Sequence, residues 1–279
     1  MRTTQAQRRF SSGLAAVSGL LVSCHSAFAA GIGQPEPWQM GRQVGVTENA
    51  RDIHSFEVGL HWLSLVISVF VLGLILWCIF RFNEKTNPTP SKTTHNTMIE
   101  VAWTIVPVLI LVAVAIPSFR LLRTQLADPK ADVIVKVIGH AWYWSYEYPQ
   151  TDKGGGFTFD ANLDESKEPK LLATDNEMVV PVNKVVKVQV TSADVIHSWG
   201  MPSLGFTTDA VPGRLNQTWF KADREGTYHG QCRELCGTRH AYMPITVRVV
   251  SEEAYAQWLA EGKTKFARLD DGSKLADAR

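Results

Sequence analysis

Apolar residues crowd into two blocks near the start of the chain and then thin out into an alternating pattern. The first block, VGLHWLSLVISVFVLGLILWCIF, runs for 23 residues from Val58 to Phe80; the second, VAWTIVPVLILVAVAIPSF, runs for 19 from Val101 to Phe119. Neither contains Asp, Glu, Lys or Arg. At about 1.5 Å per helical residue each is long enough to cross a hydrocarbon layer of roughly 30 Å. A buried core helix rarely needs so long a stretch without charge, so both blocks predict membrane-spanning helices, over 58–80 and 98–121. Pro107 and Pro117 do not argue against this, because membrane helices tolerate proline. The intervening segment, 81–97, carries Arg81, Lys85 and Lys92 near the helix ends, as a cytoplasmic loop should. Two spans then put segment 30–57 and everything after about Leu126 on the same, extracytoplasmic side.

Beyond Leu126 the period changes. In KVVKVQV, Val186, Val188 and Val190 face one way and Lys187 and Gln189 the other; in MPITVRVV, Ile245, Val247 and Val249 alternate with Thr246 and Arg248. Turn-rich pieces such as TDKGGG and VPG separate these runs, which predicts one all-β sandwich over 126–262. Within it SEEAYAQWLAEG predicts a closing helix capped by Ser251, with Tyr255, Trp258 and Leu259 on one face, and a loose polar tail from 263 to 279. The N-terminus, 1–29, has the basic, apolar and small-residue regions of a signal peptide ending at Ala29, with a lipoprotein-type box ending at Cys24 as the competing reading.

Composition adds little: net charge is +1, and the region from Leu126 holds 18 Lys and Arg against 21 Asp and Glu, only mildly acidic. Nothing in this balance points to nucleic acid. The candidate chemistry is concentrated in QCRELCGTRHAYMP, where Cys232, Cys236, His240 and Met243 stand in the spacing C-x3-C-x3-H-x2-M. On an oxidising side of a membrane two close cysteines form a disulfide as readily as anything else. The neighbours favour copper instead, since thiolate, imidazole and thioether suit that metal, and His197 in DVIHSW offers a second imidazole. Two thiolates are more than one copper ion needs, and a bridged pair of ions would use both.

The stretches THNTMIEVAWTIVPVLI, GHAWYWSYEYP, DVIHSW, DAVPGR and GQCRELCGTRHAYMP together resemble subunit II of the haem-copper cytochrome c oxidases, of the alphaproteobacterial type. That resemblance implies a two-helix hairpin followed by a periplasmic cupredoxin domain, held in the bacterial inner membrane. It implies a dinuclear copper centre that takes electrons from cytochrome c and passes them to haem in subunit I, for oxygen reduction coupled to proton pumping, with subunit III as a further partner. Position by position, Cys232 and Cys236 would bridge two copper ions; His197 and Met243 would complete one, and His240 with the Glu234 carbonyl the other. The Glu234 side chain would reach a magnesium ion at the subunit I boundary. Trp142 would receive electrons beneath the docked cytochrome, Glu100 would mark the mouth of a proton path, and Glu147, Asp160, Asp175 and Asp194 would belong to the cytochrome-docking face.

The chain departs from the family pattern at Arg233, commonly Ser, at Arg239, often small or an amide, at His229, usually aromatic, and in MPSLGFTTDAV. Added positive charge there would weaken attraction for a basic cytochrome and shift the copper potential. Two other classes share single features. A membrane-tethered copper chaperone or thiol reductant also uses C-x3-C with a distant His, but with one anchor and a βαβ pattern. A copper-free quinol-oxidase subunit shares the anchors and sandwich but lacks the Cys and His ligands. No C-x2-C-H haem-attachment motif occurs.

Overall fold

The computed structural model describes residues 33–152 and 154–266. The signal-peptide reading of 1–29, the Cys24 alternative and residues 267–279 of the expected tail lie outside the described residues. Helix α1, Glu48–Arg81, contains the first apolar block but starts ten residues before it. The early start has a local cause: the Thr47 hydroxyl accepts the Ala50 N–H at 2.9 Å, an N-cap, and Glu48 follows in the first turn. Helix α2, Thr97–Gln125, spans the second block with both prolines inside it. It is capped by Asn96, whose side chain accepts from Met98 and Ile99. Most apolar side chains of both helices face outward, and no residue of α2 is buried.

Among the described residues ten strands form the sandwich: β1 Val133–His140, β2 Tyr143–Tyr148, β3 Phe157–Ala161, β4 Met178–Pro181, β5 Val186–Ser192, β6 His197–Met201, β7 Phe206–Ala210, β8 Asn216–Phe220, β9 Gly226–Cys232 and β10 Pro244–Val250. They divide into two five-stranded sheets, β3-β2-β1-β5-β8 and β4-β10-β9-β6-β7, with parallel pairing at β1/β5 and β10/β4. Between the sheets Val135, Val137, Trp144, Tyr146, Phe159, Trp199, Met201, Tyr228 and Ile245 are almost wholly shielded from solvent. The alternation expected for β5 is present, with Val186, Val188 and Val190 buried and Lys187 and Gln189 half-buried. In β10 the outward Thr246 is buried as well, because the connection between β3 and β4 covers it and its hydroxyl donates to the Leu172 carbonyl at 3.1 Å.

Helix α3, Glu252–Phe266, packs Trp258 edge-on against Tyr148 and continues past the expected end at Gly262. The loose tail expected from 263 is corrected over its first turn. Phe266 stacks on Phe159 at 4.6 Å between centroids and is buried, so an apolar anchor holds the polar helix end down.

Segment 33–47 is also bound to the sandwich. The His229 N–H donates to the Gly33 carbonyl at 2.7 Å, Val46 N–H to Ser203 at 2.9 Å, and Asp223 N–H to Val46 at 3.0 Å. Val46 itself is 1% exposed. Gly205 seals the junction: its φ is +77°, and a Cβ there would lie 2.5 Å from the Ala50 Cα, so only glycine lets the first turn of α1 approach.

Candidate metal centre

The centre lies where β6 begins and β9 ends. Pairing of Trp199 with Cys232 sets the two strands side by side, bringing His197 at the start of one toward Cys232 at the end of the other. After Cys232 the chain turns through 233–239, Gly237 taking φ +116°, and returns as a short 3-10 turn, His240–Tyr242, before β10. The ligand atoms of His197, Cys232 and Cys236 all fall within 4.8 Å of one another, and all three residues are buried. Cys232 Sγ and Cys236 Sγ are 3.8 Å apart, far beyond the roughly 2.05 Å of a disulfide. His240 Nδ1 joins at 3.5 Å from Cys236 Sγ, and the Glu234 carbonyl lies 3.3 Å from Cys232 Sγ. Met243 is fully buried and its carbonyl accepts the Cys232 N–H at 3.1 Å.

The imidazole of His197 shows what the pocket suits. Its Nε2 is 2.8 Å from Asp194 Oδ1, while its Nδ1 is buried with no hydrogen-bond partner. An unpaired buried ring nitrogen is costly, and an imidazole fixed on one side by a carboxylate with its other nitrogen aimed at two sulfurs has the arrangement of a metal ligand. The two thiols and two imidazoles are a soft donor set that favours copper, and the thioether of the buried Met243 would add to it. Gly139 makes the approach possible: a Cβ there would meet the His197 ring at 2.8 Å. A glycine inside the run DVIVKVIGH is the sequence signal of such a close approach.

Charge is shared unevenly. Burial opposes ionisation of the Cys232 thiol, but the neighbouring His197 imidazole and contacts with the Ser198 and Glu234 backbone lower it to about 7. Burial, followed by the charge on Cys232, pushes Cys236 up to about 12. Burial also works against a charged His197, yet Cys232 and Asp194 hold its pKa above the ordinary value. Ions that need both sulfurs ionised must therefore displace protons on binding.

Such a sandwich, carried on two apolar helices, has counterparts of known identity. The transmembrane-domain and periplasmic-domain models of cytochrome C oxidase subunit II match residues 35–121 and 133–250. Cytochrome c oxidase subunit 2 of Cereibacter sphaeroides is 48% identical over 251 residues, 83% of each chain. The chain belongs to the cytochrome c oxidase subunit II family. Probable cytochrome c oxidase subunit 2 of Rickettsia bellii is 43% identical over 263 residues, 92% of this chain and 95% of that one. The crystal structure of the periplasmic domain of the Bradyrhizobium japonicum subunit II is 56% identical, covering 50% of this chain and 98% of that one, with a TM-score of 0.48. By the family models and these relatives, this chain is a membrane-anchored subunit of a cytochrome c oxidase, with a β-sandwich domain.

The other expected residues of this oxidase subunit are distributed unevenly. Trp142 is half-buried over the ligand loop: its indole N–H donates to the Cys236 carbonyl at 3.1 Å, and its ring lies against Gly237. Asp194, expected on the docking face, is exposed and also has an internal role. Its carboxylate accepts from His197 on one oxygen and from the Ala141 N–H, at 2.7 Å, on the other. One side chain thereby fixes both a candidate ligand and the turn that carries Trp142. An exposed acid three residues before a histidine gives no sequence sign of this job.

Glu147 pairs with Lys136 at 3.0 Å, Asp160 accepts from Ser145 at 2.6 Å, and Asp175 accepts from the N–H groups of Asn162 and Asn176, both at 2.7 Å. Glu234 is exposed. Glu100 lies far off at the start of α2, where it accepts the Asn96 N–H at 3.2 Å. Of the departures from the family pattern, Arg233 lies flat over Gly200 and Arg239 sits over the Tyr242 ring. His229 is buried against the Leu172 carbonyl at 3.1 Å, away from the ligand cluster.

Proposed function

We propose that this chain is the electron-receiving subunit of the oxidase, with Cys232, Cys236, His197, His240, Met243 and the Glu234 carbonyl holding two copper ions. The observation that carries this reading is the pair of unbonded, buried thiols facing an imidazole whose Nδ1 has no partner. When bound, such a pair of ions accepts and releases one electron at a time with little rearrangement.

The protein's own contribution is rigidity. Strands β6 and β9 fix two of the ligands, Asp194 orients His197, and the buried positions of Cys232, Cys236 and Met243 keep water from the sulfurs. Trp142 is proposed as the point of electron uptake from cytochrome c, because its ring is half-exposed on one side and hydrogen-bonded to the ligand loop on the other. Glu147, Asp160 and Asp175 are proposed as docking acids, and the exposed Glu234 carboxylate as a magnesium ligand toward subunit I. Glu100 would stand beside a proton path at the cytoplasmic membrane surface. Orientation follows the loop charges Arg81, Lys85 and Lys92: the sandwich is periplasmic and the hairpin lies in the bacterial inner membrane. Subunits I and III are the expected membrane partners.

Flash-induced electron transfer from bound cytochrome c to the complete oxidase at low ionic strength, where docking is saturated, tests the route. Trp142→Ala should slow transfer at least about tenfold with copper content unchanged, a loss of about 1.4 kcal/mol of barrier lowering. Transfer at the parent rate would reduce the ring to a packing role.

A further inference from the structure

The segment before α1 contains an arrangement that the sandwich does not explain. Residues 36–39 form a closed turn: the Gln39 N–H donates to the Glu36 carbonyl at 3.1 Å, and the Glu36 N–H donates to Gln39 Oε1 at 3.0 Å. Pro37 and Trp38 are its central residues. Trp38 has φ +61°, the position that turns of this kind usually give to glycine. A bulky side chain there is a strained outlier. Among the described residues nothing covers the ring to offset that strain, for Trp38 is 96% exposed and Met40, two residues on, 100% exposed. Meanwhile the segment is pinned at both ends, by Gly33 on His229 and by Val46 on Ser203.

A third tie links the segment to α1. Arg42 forms an ion pair with Glu57, the residue immediately before the uncharged run that starts at Val58. Gln39 Nε2 donates to the Arg42 carbonyl at 2.7 Å, drawing the turn toward the same point. With no more than about 3.8 Å between successive Cα atoms, Met40 lies within about 8 Å, and Trp38 within about 15 Å, of the Arg42 Cα. Both residues are thereby tethered to the stretch of α1 that leads into its uncharged run, and at such a membrane boundary Trp is favoured because its ring is apolar and its N–H polar. Arg42 is already paired, so the attraction is interfacial burial and needs no anionic headgroup.

We propose that the Glu36–Arg42 turn is a lipid-binding strap, with Trp38 and Met40 seated in the interfacial region of the leaflet on the sandwich side. It continues the membrane contact of α1 onto a segment outside the helix, and gives the sandwich a second point of attachment to the bilayer. The proposal depends on the two spans and on neither the copper centre nor the orientation of the hairpin.

The test is photo-crosslinking in the complete oxidase, in its native membrane, with p-benzoylphenylalanine replacing Trp38 or Met40 in turn. Leu215, exposed in the loop after β7 at the ligand end of the sandwich, is the control position. Phospholipid adducts at 38 and 40 and none at 215 are expected. Adducts to a peptide of another oxidase subunit would overturn the proposal in favour of a protein interface, and loss of lipid adducts at both positions would overturn it outright. Trp38→Gly, which relieves the positive φ, should leave the melting temperature of the purified chain unchanged or raised; a fall would make the ring a structural element.

Discussion

The hairpin and the sandwich are both rich in apolar residues and use them in opposite ways. In the sandwich Trp144, Trp199, Tyr146 and Phe159 turn inward and are shielded almost completely by the chain itself. In the hairpin Trp62, Trp77, Phe70, Trp103 and Phe119 are all more than 60% exposed, and Ala50 is the one buried residue of α1. The sandwich makes its own interior, whereas the hairpin depends on lipid and on neighbouring subunits. The ligand cluster sits in the self-sufficient half, where strand pairing holds it to fixed geometry, and the hairpin positions that half at the membrane. Gly205, Val46 and the Thr47 cap are where the two meet.

The sharpest way to separate the halves is to remove a thiol. Cys232→Ser or Cys236→Ser should abolish copper binding while the hairpin still resists carbonate extraction from membranes, since the spans owe nothing to those sulfurs. Loss of membrane retention would show that the halves are not independent. Next in size is the junction. Gly205→Val places side-chain atoms on the Ala50 backbone at a positive φ and should destabilise the chain by about 3 kcal/mol or more, seen as a lower melting temperature and new protease cutting between α1 and β7.

Within the sandwich, Asp194→Asn keeps the shape but removes the charge that orients His197. Copper affinity should fall about 10- to 100-fold in competition with a chelator. If docking to cytochrome c changes and copper affinity does not, the acid serves the docking face and not the ligand.

The smallest effect concerns His229. Burial lowers its pKa, against the Leu172 carbonyl and the charge of Glu177, so the folded chain binds the proton less readily than the unfolded one. Its contribution to stability is then present above the ordinary histidine pKa of about 6.5 and is lost as pH falls through the lowered folded value. Melting temperatures of the parent should drop more between about pH 7.5 and pH 5.5 than those of His229→Phe. Parallel curves would remove His229 as the cause.

Much of this was legible in the sequence because the signals are long or chemically specific. Two charge-free blocks fix the spans, period-two valines fix β5 and β10, and C-x3-C-x3-H-x2-M with His197 marks the cluster. What escaped is set by contacts distant in sequence. Asp194 looks like any surface acid until β6 brings His197 over it. Thr246 looks outward-facing until the Leu172 segment covers it, Phe266 looks like tail until Phe159 receives it, and α1 looks ten residues shorter until Thr47 is seen as its cap.

The central claim is that Cys232 and Cys236 would both serve as thiolate ligands in a two-copper centre and are not joined in a disulfide. Copper analysis of the purified full-length chain, combined with an electron paramagnetic resonance spectrum of the same sample, tests it most directly. The account predicts about two copper ions per chain and a mixed-valence signal with one unpaired electron shared by both metals. A Cys232–Cys236 disulfide with no copper in the active oxidase would contradict it.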